Sequence, residues 1–355
     1  MKAIIAMSGG VDSSVAAFLM KEQGYSCTGA TMKLFRNEDI GLSRERSCCS
    51  LDDVEDARQV AYRLDMPHYV FNFSDRFREC VIDQFVRAYE SGATPNPCID
   101  CNRHLKFDKL MQRMRLLDCD CIATGHYARI EQDEASGRYL LKKALDGAKD
   151  QSYFLYSMTQ DQLKHTRFPL GCLTKPQVRS IAEAQGFTNA RKHDSQDICF
   201  VQDGGYAGFI EKYTGRHYPA GDFVDRQGNI LGRHRGVIHY TIGQRRGLGI
   251  SSDAPLYVCE IDAAANRVVL GGEDALYTDT VVARDINLIS VPGLDQPRRI
   301  RAKLRSCQRE QWATAVQTDE DALEIHFDEP QRAPARGQAV VLYDGDIVVG
   351  GGTIQ

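Results

Sequence analysis

Ser8-Gly9-Gly10-Val11-Asp12-Ser13-Ser14 follows a short apolar run, Lys2 to Met7, and opens a helical stretch from about Asp12 that stops at Gly24. Two glycines let the backbone turn tightly and approach a ligand without interference from a Cβ. The helix start beyond them offers unpaired N–H groups and the positive end of the helix dipole, which suit a pyrophosphate. Ser8, Ser13 and Ser14 add hydroxyl donors. No Gly-Lys-Ser/Thr follows, so the P-loop reading fails, and G-x-G-x-x-G is absent, so the dinucleotide reading fails too. A plain turn with Ser and Asp as caps explains a bare Gly-Gly but not this seven-residue string.

Outward from the loop, strands and helices alternate. Ser26 to Leu34 reads as a strand, and Ser50 with Asp53 resembles a capping box before a helix with Val54, Ala57, Ala61 and Leu64 on one face. His68 to Phe73 is a strand. Asp75 to Glu90 is a helix striped by Phe77, Val81, Phe85 and Tyr89 and closed by Gly92. A proline-rich loop leads to a helix over Asn102 to Leu117, then a strand at Cys121 to Ala123. A helix over Thr174 to Gln185 is capped by Thr174 and stopped by Gly186. Such alternation predicts an α/β fold with a doubly wound parallel sheet covered on both faces. After a short helix over Tyr206 to Tyr213, glycine turns separate short alternating strands, as in QAVVLYDGDIVVGGG, which is all-β character. The expected division is 1–200, α/β; 201–273, a central β-rich unit; and 274–355, a β-barrel-like unit.

The 355 residues carry 44 Lys and Arg against 48 Asp and Glu, a net charge of −4, so any nucleic-acid surface must be local. No apolar run approaches the roughly 20 residues of a membrane span. The opening MKAIIAMSGG has no export signal, and a cytoplasmic protein with no membrane partner is expected. In a reducing compartment the 12 cysteines are thiols, ligands or redox groups rather than structural disulfides. Cys27, Cys80, Cys121 and Cys259 read as buried small hydrophobes. Cys48-Cys49 reads as a surface thiol pair, with sulfur handling as the sharper alternative.

Two cysteine segments carry more. Thr94-Pro95-Asn96-Pro97-Cys98-Ile99-Asp100-Cys101-Asn102 is a rigid loop running into a helix, which places Cys101 at the helix start and predicts a lowered thiol pKa. The second is Asp194-Ser195-Gln196-Asp197-Ile198-Cys199-Phe200.

The glycine loop resembles that of the PP-loop ATP pyrophosphatases. With Gly125-His126-Tyr127, Lys149 to Tyr156, His239 to Ile250 and the two cysteine segments, in order along nearly the whole chain, the sequence resembles the tRNA-specific 2-thiouridylase family. The resemblance implies an enzyme that uses ATP and Mg²⁺ to adenylate the C2 oxygen of the wobble uridine in tRNA. Sulfur then comes from a cysteine persulfide loaded by a sulfur-donor protein, a cysteine desulfurase or a relay carrier. It implies ATP binding by Ala6, Met7, Ser8, Gly9, Gly10, Val11, Asp12, Ser13, Met32 and Gly125. Cys199 matches the persulfide carrier and Cys101 the nucleophile that forms a disulfide with it. Asn96, Pro97 and Cys98 match the stretch that meets the target base. His126, Lys149, Asp150, Gln151, Arg305, Ser306 and Gln338 match tRNA-contacting positions. One departure stands out: many members have Asp, a candidate general base, where this chain has Cys98. Cys98, Cys101 and Cys199 then suit either redox exchange or three ligands of a [4Fe–4S] cluster with one iron left open. A structural zinc wants a fourth ligand.

For the RNA, Arg298 to Arg309 places Arg299, Arg301, Lys303 and Arg305 on one strand face and Ile300, Ala302 and Leu304 on the other. The cations either track a phosphate backbone or keep an exposed edge soluble. Arg245 and Arg246 offer a similar choice. The rival functions are a PP-loop amidotransferase or ligase acting on a small molecule, and a non-catalytic RNA-binding or sulfur-carrier protein.

Overall fold

The computed structural model describes residues 1–35, 51–192, 198–201 and 205–355. Ser50, the Cys48-Cys49 pair and Asp194 to Asp197 lie outside the described residues.

The first unit is a five-stranded, all-parallel sheet. Its order is His68–Asn72, Ser26–Lys33, Lys2–Ala6, Cys121–Ala123 and Thr166–Arg167. Ala3, Ile4 and Ile5 on the central strand are fully buried, as expected of a strand covered on both faces. The chain order reverses beside Lys2–Ala6, and ligands of open α/β sheets bind at the carboxyl ends of strands beside such a reversal. The glycine loop leaves the central strand there and enters the helix Val11–Glu22.

The long helical stretches are not regular α-helix. Ser74–Phe77 and Asp83–Glu90 flank a π-helical segment, Arg78–Ile82, and Phe77, Val81, Phe85 and Tyr89 are all buried. Pro97–Cys101 and Leu110–Leu116 flank a second π-helical segment, Asn102–Lys109. Sequence reasoning put the start of this second helix at Asn102. The helix starts at Pro97 because proline fits the first helical position, where no N–H is needed. Cys101 is therefore one turn inside the helix rather than at its start.

Beyond the helix Gly205–Thr214 comes a four-stranded sheet in the order Tyr257–Asp262, Arg267–Gly271, Gly221–Val224 and Ile230–His234. Six antiparallel strands follow. They run Tyr277–Leu288, Ala322–Arg332, Gln311–Asp319, Arg298–Lys303, Ala339–Asp344 and Ile347–Ile354, and pairing of the last with the first closes a barrel. The hairpin of Ala128–Gln132 and Tyr139–Lys143, from the first unit, attaches to this barrel through Lys142 opposite Ile347.

Candidate active site

Gly9 adopts φ +75°, and an added Cβ would collide with the Asp53 carbonyl, so helix Leu51–Arg63 walls the loop. The Gly10 carbonyl accepts from the Ser13 and Ser14 hydroxyls, each at 3.0 Å. These two serines therefore shape the turn, while Ser8 is exposed. Gly125 closes the other side, where a Cβ would stand 2.8 Å from the Asp12 carbonyl carbon and the Ser13 nitrogen. Met7 is buried, Ala6 and Met32 are half-buried, and Val11 begins the helix.

Asp12 is a hub. Lys175, itself buried, donates to both of its oxygens at 2.7 and 2.9 Å, and the Tyr127 hydroxyl donates at 2.9 Å. Tyr127 also exchanges backbone contacts with the next motif. Its N–H donates to Gln151 Oε1, and the Gln151 N–H donates to its carbonyl, both at 2.9 Å. Asn189 donates to the Gly9 carbonyl and to Ser14 Oγ at 2.9 Å, while Lys192 bridges Asp53 and Asp56 at 2.6 Å each. Asn189 and Lys192 are thus fastened to the glycine loop and to the helix that walls it.

A pocket of about 460 Å³ gathers Asn96, Pro97, Cys98, His126, Gln151 and Gln338. Gln338 reaches it from the barrel and donates to the Thr94 and Pro95 carbonyls at 3.0 and 3.2 Å. His126 is buried, and burial holds its imidazolium form well below the usual histidine range. Its Nε2 lies 3.4 Å from Lys106 Nζ and its Nδ1 2.7 Å from Thr124 Oγ1. An ammonium can only donate, so Nε2 accepts and Nδ1–H donates to the threonine.

Other tRNA candidates stand outside the pocket lining. Asp150 accepts from the Ala144 and Ser152 N–H groups and the Ser152 hydroxyl, which shapes a turn. Lys149 is half-buried, Arg305 donates to the Ala333 carbonyl at 2.6 Å, and Ser306 is exposed. On the barrel, Ile300, Ala302 and Leu304 are buried, while the Arg299 and Arg301 guanidinium carbons lie 5.0 and 4.7 Å from the ring centre of half-exposed Trp312. Arg299 is also paired with Asp328.

Cys98 reaches solvent through the pocket, whereas Cys101 is buried. Burial pushes the Cys101 thiol up to about 11, against the lowering expected at a helix start. The reason is the extra helical turn at Pro97, which carries Cys101 past the exposed N–H groups and into apolar packing. Cys199 packs on the same apolar cluster as Cys101, and its neighbour Phe200 sets its ring against Phe77 and Phe85 at 5.7 and 5.3 Å. The cluster expectation finds no donor set. Among the described residues, no three of His, Cys, Asp or Glu are placed to hold a metal ion, with Cys98, Cys101 and Cys199 all described. Burial of the Cys101 thiol in apolar packing opposes the thiolate that ligation requires.

Sequence reasoning missed Lys106 and Asn102, both in the pocket wall. Asn102 is 2% exposed and donates through Nδ2 to the Phe154 carbonyl at 3.0 Å, while its buried Oδ1 has no hydrogen-bond partner among the described residues. Both looked like ordinary helix residues, and only their nearness to Cys98 and Cys101 could have marked them.

A family model described as "tRNA methyl transferase HUP domain" matches residues 1–203. A "tRNA methyl transferase PRC-barrel domain" matches 207–272, and an "Aminomethyltransferase beta-barrel domain" matches 278–354. The "tRNA-specific 2-thiouridylase MnmA" of Clostridioides difficile strain 630 is 51% identical over 354 residues, covering 100% of this chain and 98% of the relative. The protein of the same name from Acetivibrio thermocellus is 50% identical over 355 residues, covering 100% and 99%. That from Clostridium acetobutylicum is 47% identical over 354 residues, covering 100% and 99%. With half its sequence shared across its whole length, the chain belongs to the tRNA-specific 2-thiouridylase family.

Proposed function

We propose that the protein is an ATP-dependent tRNA sulfurtransferase that converts a uridine, by family resemblance the wobble uridine, to 2-thiouridine. The observation that carries this reading is the single pocket into which Asn96–Cys98, His126, Gln151 and Gln338 converge, joined to the glycine loop through Tyr127. Two of the three family models and the relatives name tRNA, while the family-model names differ from those of the relatives on chemistry. A phosphate loop and paired thiols favour adenylation and sulfur transfer over methyl transfer. In this reading the α/β unit, 1–200, holds ATP and the thiols. The barrel-like unit at 274–355 contributes RNA contacts, including Gln338, Arg301 and Trp312, beyond the central β-rich unit at 201–273.

ATP lies with its phosphates on the N–H groups of the helix start after Gly10. The target base is flipped into the pocket, and its C2 oxygen attacks the α-phosphate, expelling pyrophosphate. The terminal sulfur of a Cys199 persulfide then attacks C2 and expels AMP. The Cys101 thiolate attacks Cys199 Sγ, breaking the S–S bond. The electron pair of that bond stays on the sulfur at C2, and the Cys101–Cys199 disulfide formed is reduced by an external dithiol. The persulfide is supplied by a sulfur-donor protein. Mg²⁺ would be held mainly by the substrate phosphates, with Asp12 as the loop's carboxylate only if it shares oxygens that already accept from Lys175 and Tyr127. When bound it would neutralise phosphate charge.

The test is incubation with ATP, Mg²⁺, bulk tRNA, a dithiol, and cysteine with a cysteine desulfurase as persulfide donor, followed by mass spectrometry of the digested nucleosides. The expected outcome is 2-thiouridine with tRNA-dependent pyrophosphate release. Pyrophosphate release indifferent to tRNA, with no thiolated nucleoside, would point to a small-molecule ligase instead.

A further inference from the structure

We propose that Lys106 supplies the positive charge for the thiol chemistry of the base pocket. The proposal rests on the reading of Cys101 as the attacking thiol and adds a residue to it.

The π-helical segment is what aims this side chain. In an α-helix, residues five apart point in widely different directions, because neighbours on one face are three or four apart. A π-helix closes i→i+5 bonds, as when the Leu110 N–H donates to the Leu105 carbonyl, and so draws residues five apart towards one face. Cys101 and Lys106 are five apart, the first immediately preceding the π-helical segment Asn102–Lys109 and the second within it. Lys106 lines the pocket with Cys98, and Nε2 of neutral His126 receives its ammonium at 3.4 Å. Pairing with a neutral ring holds the lysine in place without cancelling its charge.

The electrostatic surroundings of the thiols agree. Among the described residues, Lys106, Cys98 and Asp100 act on the Cys101 thiol, and of these three Lys106 favours the thiolate. Lys106 likewise opposes the burial that raises Cys98, while Asp100 adds to it. Release of sulfur requires Cys101 to lose its proton and an anion to persist at Sγ until it attacks. A nearby cation stabilises that anion. It also stabilises negative charge that develops at the reacting base.

The test separates this role from the reading beneath it. Alkylation of Cys101 by iodoacetamide is followed against pH in the full-length protein by peptide mass spectrometry, on a Cys98→Ser background. Lys106→Met should slow alkylation about tenfold at pH 9 and move the profile upward, while Lys106→Arg restores most of the shift, since an opposite charge nearby moves a pKa by about 1 unit or more. In single-turnover thiolation from preloaded persulfide, Lys106→Met should lose more in sulfur transfer than in pyrophosphate release, and regain part of the loss at higher pH. Superimposable alkylation profiles for wild type and Lys106→Met overturn the proposal. A shifted profile in a protein that makes no 2-thiouridine upholds the charge and overturns the functional reading.

Discussion

The Tyr127 hydroxyl donates to Asp12 at 2.9 Å, across 115 residues of sequence, and so couples the phosphate loop to the wall of the base pocket. A hydrogen bond to a charged group contributes about 1.5–3 kcal/mol. Tyr127→Phe should therefore lower stability by up to that amount and, by releasing Asp12 from its anchor, lower kcat/KM for ATP by about tenfold. Lys175→Met should be more severe, because it leaves the Asp12 carboxylate without its counter-charge. Steady-state pyrophosphate release in the presence of tRNA measures both, and equal activity in all three proteins would show Asp12 to be a bystander.

Gly125→Ala tests the other wall of the loop. Its Cβ would meet the Asp12 and Ser13 backbone at 2.8 Å, and backbone at that distance has no cheap way to yield. ATP-dependent pyrophosphate release should be lost, while circular dichroism stays that of a folded α/β protein. A variant that turns over ATP normally would separate Gly125 from the nucleotide.

Cysteine variants distinguish a two-thiol relay from ligation. Cys101→Ser and Cys199→Ser should each abolish 2-thiouridine formation and leave pyrophosphate release measurable, whereas Cys98→Ser should slow turnover only a few-fold. Protein purified anaerobically should thiolate tRNA without bound iron, by iron and sulfide analysis. Activity that tracks iron content and requires all three thiols would reverse this conclusion.

Arg301→Glu should weaken tRNA binding and reduce the slope of log affinity against log salt by about 1, the signature of one lost phosphate contact. Arg299→Glu should do less, since Asp328 already neutralises that guanidinium. Trp312→Ala should weaken binding without altering the slope, because stacking releases no counterions. Filter binding at several salt concentrations reads all three. Identical slopes throughout would make this strand an exposed edge kept soluble by charge.

Asp100 carries a pH dependence of stability. Burial pushes its carboxyl up to about 6, against the partial relief of Arg103. The folded state thus binds this proton more tightly than the unfolded chain does. The resulting stability is complete below about pH 4, the unfolded value, and is lost as pH rises through about 6. Asp100→Asn should abolish that loss, and gain about 1–3 kcal/mol over wild type at pH 8 relative to pH 4. Denaturant melts at the two pH values check it, and parallel behaviour of the two proteins would contradict it.

The parts of the fold that the sequence disclosed are those with a local physical signature. The stripe of Phe77, Val81, Phe85 and Tyr89 announced a buried helix face, and Gly9 and Gly10 between strand and helix announced the loop. What stayed hidden is non-local or leaves no residue signature. Pro97 reads equally as loop or as first helical residue, so the helix start was placed five residues late and the Cys101 thiol was expected to be acidic. A π-helical segment is a change of hydrogen-bond register that any composition can adopt, so nothing in the sequence singled out Lys106. Pairing of Lys142 with Ile347 joins strands some 200 residues apart, and nothing near either one encodes it.

The contacts of Gln338 with the Thr94 and Pro95 carbonyls, and of the Arg336 carbonyl with the Thr94 N–H, also set an order of events during synthesis. The α/β unit leaves the ribosome first and can fold around its parallel sheet, but the loop carrying Asn96 to Cys98 gains its barrel support only after residues 336–354 have emerged. A nascent chain halted inside the barrel would therefore carry a finished glycine loop beside an unfinished pocket. Catalytic competence comes with the closing strand.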